Sequence, residues 1–264
     1  MKSSRMRCTI LLVAGSCVLA LLPTSQKRSR NWNTPETRAS GRLALLVVPA
    51  AAWHVQAQDA ETSYPSMAPL DQYLMERDAE ITLARSAAPE AISRDAKVMV
   101  LGPRGYETAV QGKNDFVCLV ERSWSAGIDD PEFWNPKGRA PICFNAPAAR
   151  FNVPLLMKRT ELVLAGRTKT QVFEAVSASV DKKELPTLEA GAMCYMMSKQ
   201  QWLNRDGHWH PHLMFFVPLM EAASWAAGSP GSPVVNAFID TPERHAVFLI
   251  TVANWSDGTP APHE

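Results

Sequence analysis

The sequence predicts an α+β fold with a mainly antiparallel sheet and two or three packed helices. Two observations indicate this class. Three strand-like runs precede two helical segments, and further strand-like runs occupy the last third of the chain. Turn residues with the chemistry of a β-meander separate the early runs. Strands, then helices, then strands are typical of an antiparallel sheet with helices packed on it.

The predicted domain begins with a helix and three strands. Apolar residues at close to helical spacing predict a helix over Leu70–Ala87, which Pro89 would end. Residues 123–145 are expected to form a long loop with several prolines. The strand-like runs between this helix and this loop are Ala96–Leu101, Tyr106–Val110 and Phe116–Val120.

Two helices and four strands complete the predicted domain. The first helix covers about residues 147–165, with a kink or break expected at Pro154. Thr168 and Gln171 form a capping box for the second helix, which ends near Lys183. The later strands are Ala192–Met197, His210–Val217, Val234–Ile239 and Ala246–Val252, with a short helix near Met220–Ala227.

Residues 1–57 are interpreted as a targeting region rather than as part of the domain. Their apolar runs, Thr9–Leu22 and Leu43–Trp53, follow basic residues and are shorter than the roughly 20 residues that a membrane span needs. Both have the form of a signal-peptide core, and Val55-Gln56-Ala57 predicts cleavage before Gln58. The protein is therefore expected to be exported, to the periplasm or beyond it.

The presence of two such runs leaves the true start of the chain open. A start codon assigned too far upstream, which adds residues 1–30, is the favoured interpretation. The alternative is an uncleaved anchor followed by a spacer. A lipoprotein signal at Cys17 is a weaker interpretation, because Ala14-Gly15-Ser16-Cys17 only loosely resembles a lipobox and the apolar run continues past the cysteine.

Charge and length bound what the rest of the chain does. Eight of the 27 Lys and Arg residues and one of the 26 Asp and Glu residues lie in 1–57, so the remainder has 19 basic and 25 acidic residues and a net charge of −6. We therefore expect no nucleic-acid partner, and no later stretch reads as a membrane span. A single domain over 70–258 is predicted, with tails at 58–69 and 259–264.

Three cysteines follow the predicted cleavage site: Cys118, Cys143 and Cys194. An odd number leaves at least one that is free, pairs between chains or binds something. Export permits disulfides, and a Cys118–Cys143 bond is favoured because Cys118 lies in a predicted strand and Cys143 in a nearby extended loop. The sequence alone does not settle this pairing.

The segment Asp206–Phe216 carries the strongest functional signal. In extended backbone, His208, His210 and His212 would share one face. Neutral imidazole is a common ligand of zinc and copper, and three imidazoles with a water would form an open site of catalytic type. Further ligands that the sequence offers are Asp206, His245, Glu221 and Cys194.

A competing interpretation applies to the same histidines. Pro211 cannot donate to a sheet ladder, so the segment suits an edge or a loop. Extended positions i and i+4 lie roughly 13 Å apart, so two neighbours such as His208 and His210 form the more realistic pair. The histidines would then be surface or hydrogen-bonded side chains beside Trp209, and no catalytic residue is identified.

Weaker signals have structural explanations that are favoured over functional ones. Asp129, Asp130 and Glu132 lack the glycine and the terminal glutamate of an EF-hand loop, so a solvated acidic loop is expected. Met193–Met197 contains soft ligands that suit Cu(I), but methionines are ordinary core residues. A nucleophilic role for Cys194 has no local signature, and the tryptophans are expected to be core mass more than a ligand groove.

Three segments together resemble an uncharacterised family of exported bacterial proteins: Gly191–Gln200, Asp206–Phe216 and Asp130–Pro136. The resemblance spans roughly residues 70–260, implies export and carries no activity. The leading hypothesis is an exported protein with a histidine-based zinc or copper site, for which hydrolysis is one conceivable use. The alternative is a non-enzymatic periplasmic protein that binds a ligand or partner. Whether the protein is an enzyme stays open.

Overall fold

The computed structural model describes residues 64–203, 209–240 and 242–262. These residues form four α-helices and an eight-stranded sheet, which confirms the predicted α+β class. The helices are α1 (Arg77–Arg85), α2 (Glu90–Ser93), α3 (Ala146–Leu164) and α4 (Lys169–Asp181). The strands are β1 (Lys97–Gly102), β2 (Gly105–Val110), β3 (Val117–Glu121), β4 (Ala140–Phe144), β5 (Met193–Met196), β6 (His212–Pro218), β7 (Val234–Asp240) and β8 (His245–Thr251).

The strands lie in the order β2-β1-β3-β4-β5-β6-β8-β7. Only β1 and β3 pair in parallel, and every other neighbouring pair is antiparallel. The predicted targeting region and residues 58–63 lie outside the described residues. Where the chain is described, none of its helices has both the length and the apolar character that crossing a bilayer requires.

The two faces of the sheet have different covers, because side chains alternate along each strand. On one face, Val98, Cys118 and Cys143 pack against Leu83 and Ala84 of α1. The other face packs under α3 and α4, and it carries the larger hydrophobic core. Members of that core include Leu119, Ile142, Phe144, Met196, Phe216 and Val247 from the strands and Leu156, Val163, Val172 and Phe173 from the helices.

A buried ion pair fixes α1 on the sheet. The guanidinium of Arg122, which follows β3, lies 2.9 Å from the carboxylate of Glu80 in α1. Glu80 also accepts the N–H of Leu101, and Arg122 donates to the carbonyl of Tyr73. Because both charges are buried and hydrogen-bonded on several sides, removing either partner would leave an uncompensated charge in the core.

The ends of the long helices follow local sequence signals. Asn145 caps α3 by accepting the N–H of Ala148, and the predicted capping box of Thr168 and Gln171 begins α4. Of the two alternatives expected at Pro154, the break is wrong, since α3 continues through it as one helix. The proline is partly exposed, and Arg150, whose carbonyl lacks the usual helical N–H partner, is an exposed residue.

Three other element predictions differ from the structure in their extent or type. The expected loop 123–145 contains β4, which is held by hydrogen bonds to β3 on one side and β5 on the other. The expected helix 70–87 is a single 3-10 turn at Leu70–Gln72 followed by α1, which ends before Pro89. The short helix expected near 220–227 is present as a four-residue 3-10 helix, Ala222–Trp225.

The predicted disulfide between Cys118 and Cys143 is present. The two residues are direct partners in the β3–β4 ladder, with their Cα atoms 4.0 Å apart. Both sulfurs lie in the core under α1. Cys194 is the free cysteine among the described residues, and it is buried.

Candidate functional site

A cavity of about 960 Å³ lies over the α3 side of the sheet. Its floor is made by β4, β5, β6 and β8, and its walls by α3, the segment after β3 and the edge strand β7. A cavity of this size falls within the range of small-molecule sites. The apolar residues of the floor are Ile142, Phe144, Met196, Met214, Phe216, Val247 and Leu249.

Strand register explains why the floor is apolar. Met214 pairs with Leu249, and Phe216 pairs with Val247, so both pairs project from the same face of the β6–β8 ladder. The residues between them, such as Phe215 and Phe248, project from the opposite face. The alternation of the two strands therefore places a continuous hydrophobic surface under the cavity.

A buried arginine forms the polar end of the cavity. The side chain of Arg159 in α3 is 4% exposed, and its Nε donates to Glu243 at 2.6 Å. Its Nη1 donates to the carbonyls of Trp124, Ser125 and Ala126, and its Nη2 contacts Glu243 and lies 3.8 Å from Asp240. Glu243 and three backbone carbonyls therefore accept from this guanidinium, and the ring of Phe173 lies 4.6 Å from its central carbon.

Glu121 lies beside this group without an ion-pair partner among the described residues. It is the last residue of β3, lines the cavity and is partly exposed. The pKa of Glu121 is raised to about 7. Burial is the largest cause, the neighbouring Glu243 adds to the rise, and Arg159 and Ser125 oppose it. Burial likewise raises the pKa of Glu243 to about 7, although Arg159 opposes that shift.

The polar end therefore holds more acid than base. Three carboxyl groups, those of Glu121, Asp240 and Glu243, surround the single guanidinium of Arg159. His245 is close by and packs its ring against Phe151, and burial lowers its pKa. A neutral His245 leaves the group with excess negative charge whenever all three carboxyl groups are ionised.

His212 lies in another part of the same cavity. It is the first residue of β6, and its Nδ1 is 2.8 Å from the carbonyl oxygen of His210. Since a carbonyl only accepts, Nδ1 carries the proton and Nε2 carries the lone pair. Burial lowers the pKa of His212 to about 4, so the ring is neutral at pH 7. Trp209 packs edge-on against it, with ring centroids 4.6 Å apart.

Of the additional metal ligands that the sequence offers, His245 and Glu221 lie away from His212. His208 and Asp206 lie outside the described residues. His245 is opposite Pro218, six residues along β6 from His212, which corresponds to about 20 Å of strand. Glu221 is exposed beyond the end of β6. Within the described ranges, no three His, Cys, Asp or Glu residues are grouped as metal ligands would be.

Cys194 is near His212 but is poorly suited to bind a metal. It lies two residues before Met196, which pairs with His212. Burial raises the pKa of the Cys194 thiol well above its ordinary value, so it stays protonated, whereas metal binding and nucleophilic attack need the thiolate. Met196 is a core residue, as the structural explanation of Met193–Met197 expected. The zinc or copper site therefore stays a prediction.

Four residues of the polar end were not identified from the sequence: Glu121, Arg159, Asp240 and Glu243. Two of them carried a usable signal. Glu121 lies two residues after the buried Leu119, so it continues the inward phase of its strand. Arg159 lies four residues from both Leu155 and Val163, in the apolar stripe of its helix. A charge that is in phase with core positions is the pattern to look for.

The acidic loop and the tryptophans divide between rim and core. Asp129, Asp130 and Glu132 lie at the cavity, together with Trp202 and Trp209, while Trp124 and Trp134 are buried in the core. The tryptophans are thus divided between the core and the wall of the cavity. Comparison of the chain with models of protein families, with curated proteins and with solved structures found no match.

Proposed function

We propose that this protein is an exported, non-enzymatic binding protein that takes up a small amphipathic molecule in the cavity over the α3 side of the sheet. One observation carries the proposal: a cavity of about 960 Å³ has a continuous apolar floor and a charged group at one end. Largely apolar pockets with a few convergent polar groups are the usual form of small-molecule sites. The predicted signal peptide and the disulfide support export.

The state of the polar side chains favours binding over catalysis. Arg159 and Glu243 are engaged with each other, and the Nδ1 of His212 is engaged with a backbone carbonyl. Cys194, the free cysteine, is protonated and buried. Among the described residues, this leaves no activated nucleophile beside a general base, which covalent catalysis would need.

A cavity-filling variant tests the proposal. Met214→Trp places a large ring on the cavity floor, and Leu213→Trp places the same ring on the opposite face of β6. We expect the purified protein to bind the uncharged fluorophore N-phenyl-1-naphthylamine saturably, and Met214→Trp to weaken that binding at least tenfold. Leu213→Trp should bind as the unaltered protein does.

Two results would contradict the proposal. One is the absence of saturable fluorophore binding by the unaltered protein. The other is equal binding by both tryptophan variants, because the fluorophore would then lie elsewhere. Circular dichroism of each variant checks that the fold is retained, which excludes unfolding as the cause of any weaker binding.

The histidine-based metal site is the second proposal. It is supported by the neutral His212, whose hydrogen bond to the His210 carbonyl orients the ring and leaves Nε2 able to coordinate. Elemental analysis after loading with zinc or copper checks it, and His208→Ala combined with His210→Ala should lower the bound metal. Unaltered protein that retains no metal after loading would remove this proposal.

A further inference from the structure

Carboxyl groups outnumber guanidinium groups in the lining of the cavity, and the two kinds of group differ in the partners that the protein supplies to them. Among the described residues, six carboxyl groups and three guanidinium groups line it. The carboxyl groups belong to Glu121, Asp129, Asp130, Glu132, Asp240 and Glu243, and the guanidinium groups to Arg122, Arg139 and Arg159. A ligand that enters this cavity therefore meets an excess of negative charge.

The three arginines are held by the protein itself. Arg159 is surrounded by Glu243 and three backbone carbonyls, and Arg122 is paired with Glu80. Arg139 donates to the carbonyls of Pro136, Gly138 and Gln72. Recognition of a carboxylate or phosphate by arginine normally uses two parallel N–H donors of one fork. These arginines are arranged to hold backbone and carboxylate oxygens of the fold instead.

Glu121 differs from the other carboxyl groups at the polar end. Asp240 accepts the N–H of Glu243, and Glu243 is bound to Arg159. Glu121 has no ion-pair partner among the described residues, and its side chain is partly exposed at the cavity wall. At the same wall, the Oγ of Ser123 is buried and has no hydrogen-bond partner in the described structure.

An organic cation fits this arrangement better than a metal ion does. Calcium needs six to eight oxygen ligands and zinc needs about four close donors. No group of three candidate ligands is present in the described ranges. An ammonium group needs only ordinary hydrogen-bond acceptors, and the carbon chain that bears it can lie on the apolar floor formed by Met214, Phe216 and Leu249.

We infer that the ligand of this cavity is an amphipathic amine whose ammonium group is bound by the carboxylate of Glu121 while its hydrocarbon part lies on the β6–β8 floor. This inference rests on the proposed binding function and adds the chemical class of the ligand to it. The other carboxyl groups at the polar end contribute negative potential, but Glu121 makes the direct contact.

Three probes of equal chain length test the inference. Octylamine, octan-1-ol and octanoate compete with N-phenyl-1-naphthylamine for the purified protein at pH 8. We expect octylamine to displace the fluorophore at a concentration at least tenfold lower than octan-1-ol, and octanoate to be the weakest. Glu121→Gln should remove the advantage of octylamine over octan-1-ol, and Glu121→Asp should retain most of it.

The control variant is Glu174→Gln, which removes an exposed carboxyl group of α4 and should keep the preference for octylamine. Equal displacement by the three probes, or a preference for octanoate, would overturn the amine inference while leaving a binding cavity. A preference for octylamine that survives in Glu121→Gln would overturn the role of Glu121. Failure of the unaltered protein to bind fluorophore or probe would overturn the proposed function itself.

Discussion

Glu121 and Glu243 both lie near the guanidinium of Arg159, which is hydrogen-bonded to Glu243 but not to Glu121, and this arrangement gives the cavity its electrostatic character. Burial penalises the carboxylate form of each acid, and one positive charge does not offset both of them together with Asp240. Desolvation therefore outweighs the ion pair, and the pKa values of both glutamates rise to about 7. Such a site holds a proton near neutral pH unless a cation replaces it.

The raised pKa of Glu121 has a consequence for stability, whose sign follows from proton linkage. Between the ordinary pKa of 4.5 and the folded value of about 7, the folded protein binds more protons than the unfolded chain. The stabilising contribution of Glu121 is therefore fully present below pH 4.5 and is lost as the pH rises through 7. His212 has the opposite effect on stability. Because its pKa is lowered from 6.5 to about 4, its contribution to the free energy of unfolding increases as the pH rises between these two values.

Replacing Glu121 by glutamine should remove this loss of stability. At pH 8 we expect Glu121→Gln to raise the free energy of unfolding by about 1–3 kcal/mol, less than the full linkage value because the side chain is partly exposed. At pH 4.5 the variant and the unaltered protein should be nearly equal. Urea unfolding at both pH values measures the difference, with Glu174→Gln as the exposed control. Equal stabilities at pH 8 would contradict the assigned environment of Glu121.

At the scale of elements, the disulfide joins β3 and β4, the pair from which Glu121 extends toward the cavity. The bond closes a loop whose ends are 25 residues apart, and both sulfurs are buried under α1. Cross-linking a loop of this length stabilises a domain by about 3–4 kcal/mol in the chain-entropy description. The bond therefore contributes a large share of the stability expected for a domain of this kind.

Reduction should accordingly shift the unfolding transition. We expect urea unfolding in the presence of dithiothreitol to show a free energy lower by about 3 kcal/mol than in its absence. The double variant Cys118→Ala, Cys143→Ala should be insensitive to the reductant, which separates the bond from any effect on Cys194. An unaltered transition for the reduced wild-type protein would show that the bond does not stabilise the fold.

The elements also show where local sequence patterns succeed and fail. The capping box at Thr168 was predicted because both of its partners lie within one helical turn. Strand β4 was not predicted because it contains Pro141 and follows Pro136, so its sequence resembles a loop, and only pairing with β3 and β5 makes it a central strand. Helix α3 was expected to kink or break at Pro154, but it is one helix whose next two residues are both buried, Leu155 against Phe151 and Val176 and Leu156 in the larger core.

At the scale of the whole molecule, export predicts a specific mature chain. If Val55-Gln56-Ala57 is the cleavage site, protein recovered from the periplasm should begin at Gln58. Intact-mass spectrometry and N-terminal sequencing measure this directly. Ala57→Arg places a large charged residue at the −1 position and should leave the precursor uncleaved. Recovery of Ala57→Arg protein that also begins at Gln58 would show that this site is not the one recognised.

The local signals of the sequence determined the α+β class, the alternation of most strands and the capping of α4. Each depends on residues that are close in the chain or on a repeating period, so each is visible without the fold. The cavity was decided only by tertiary structure. Arg159 and Glu243 are 84 residues apart, and they meet because the side chain of Arg159 in α3 reaches the turn between β7 and β8, where Glu243 lies. Burial that raises a pKa exists only after such distant elements have packed, and that is why the acidic end of the cavity could not be foreseen from the chain alone.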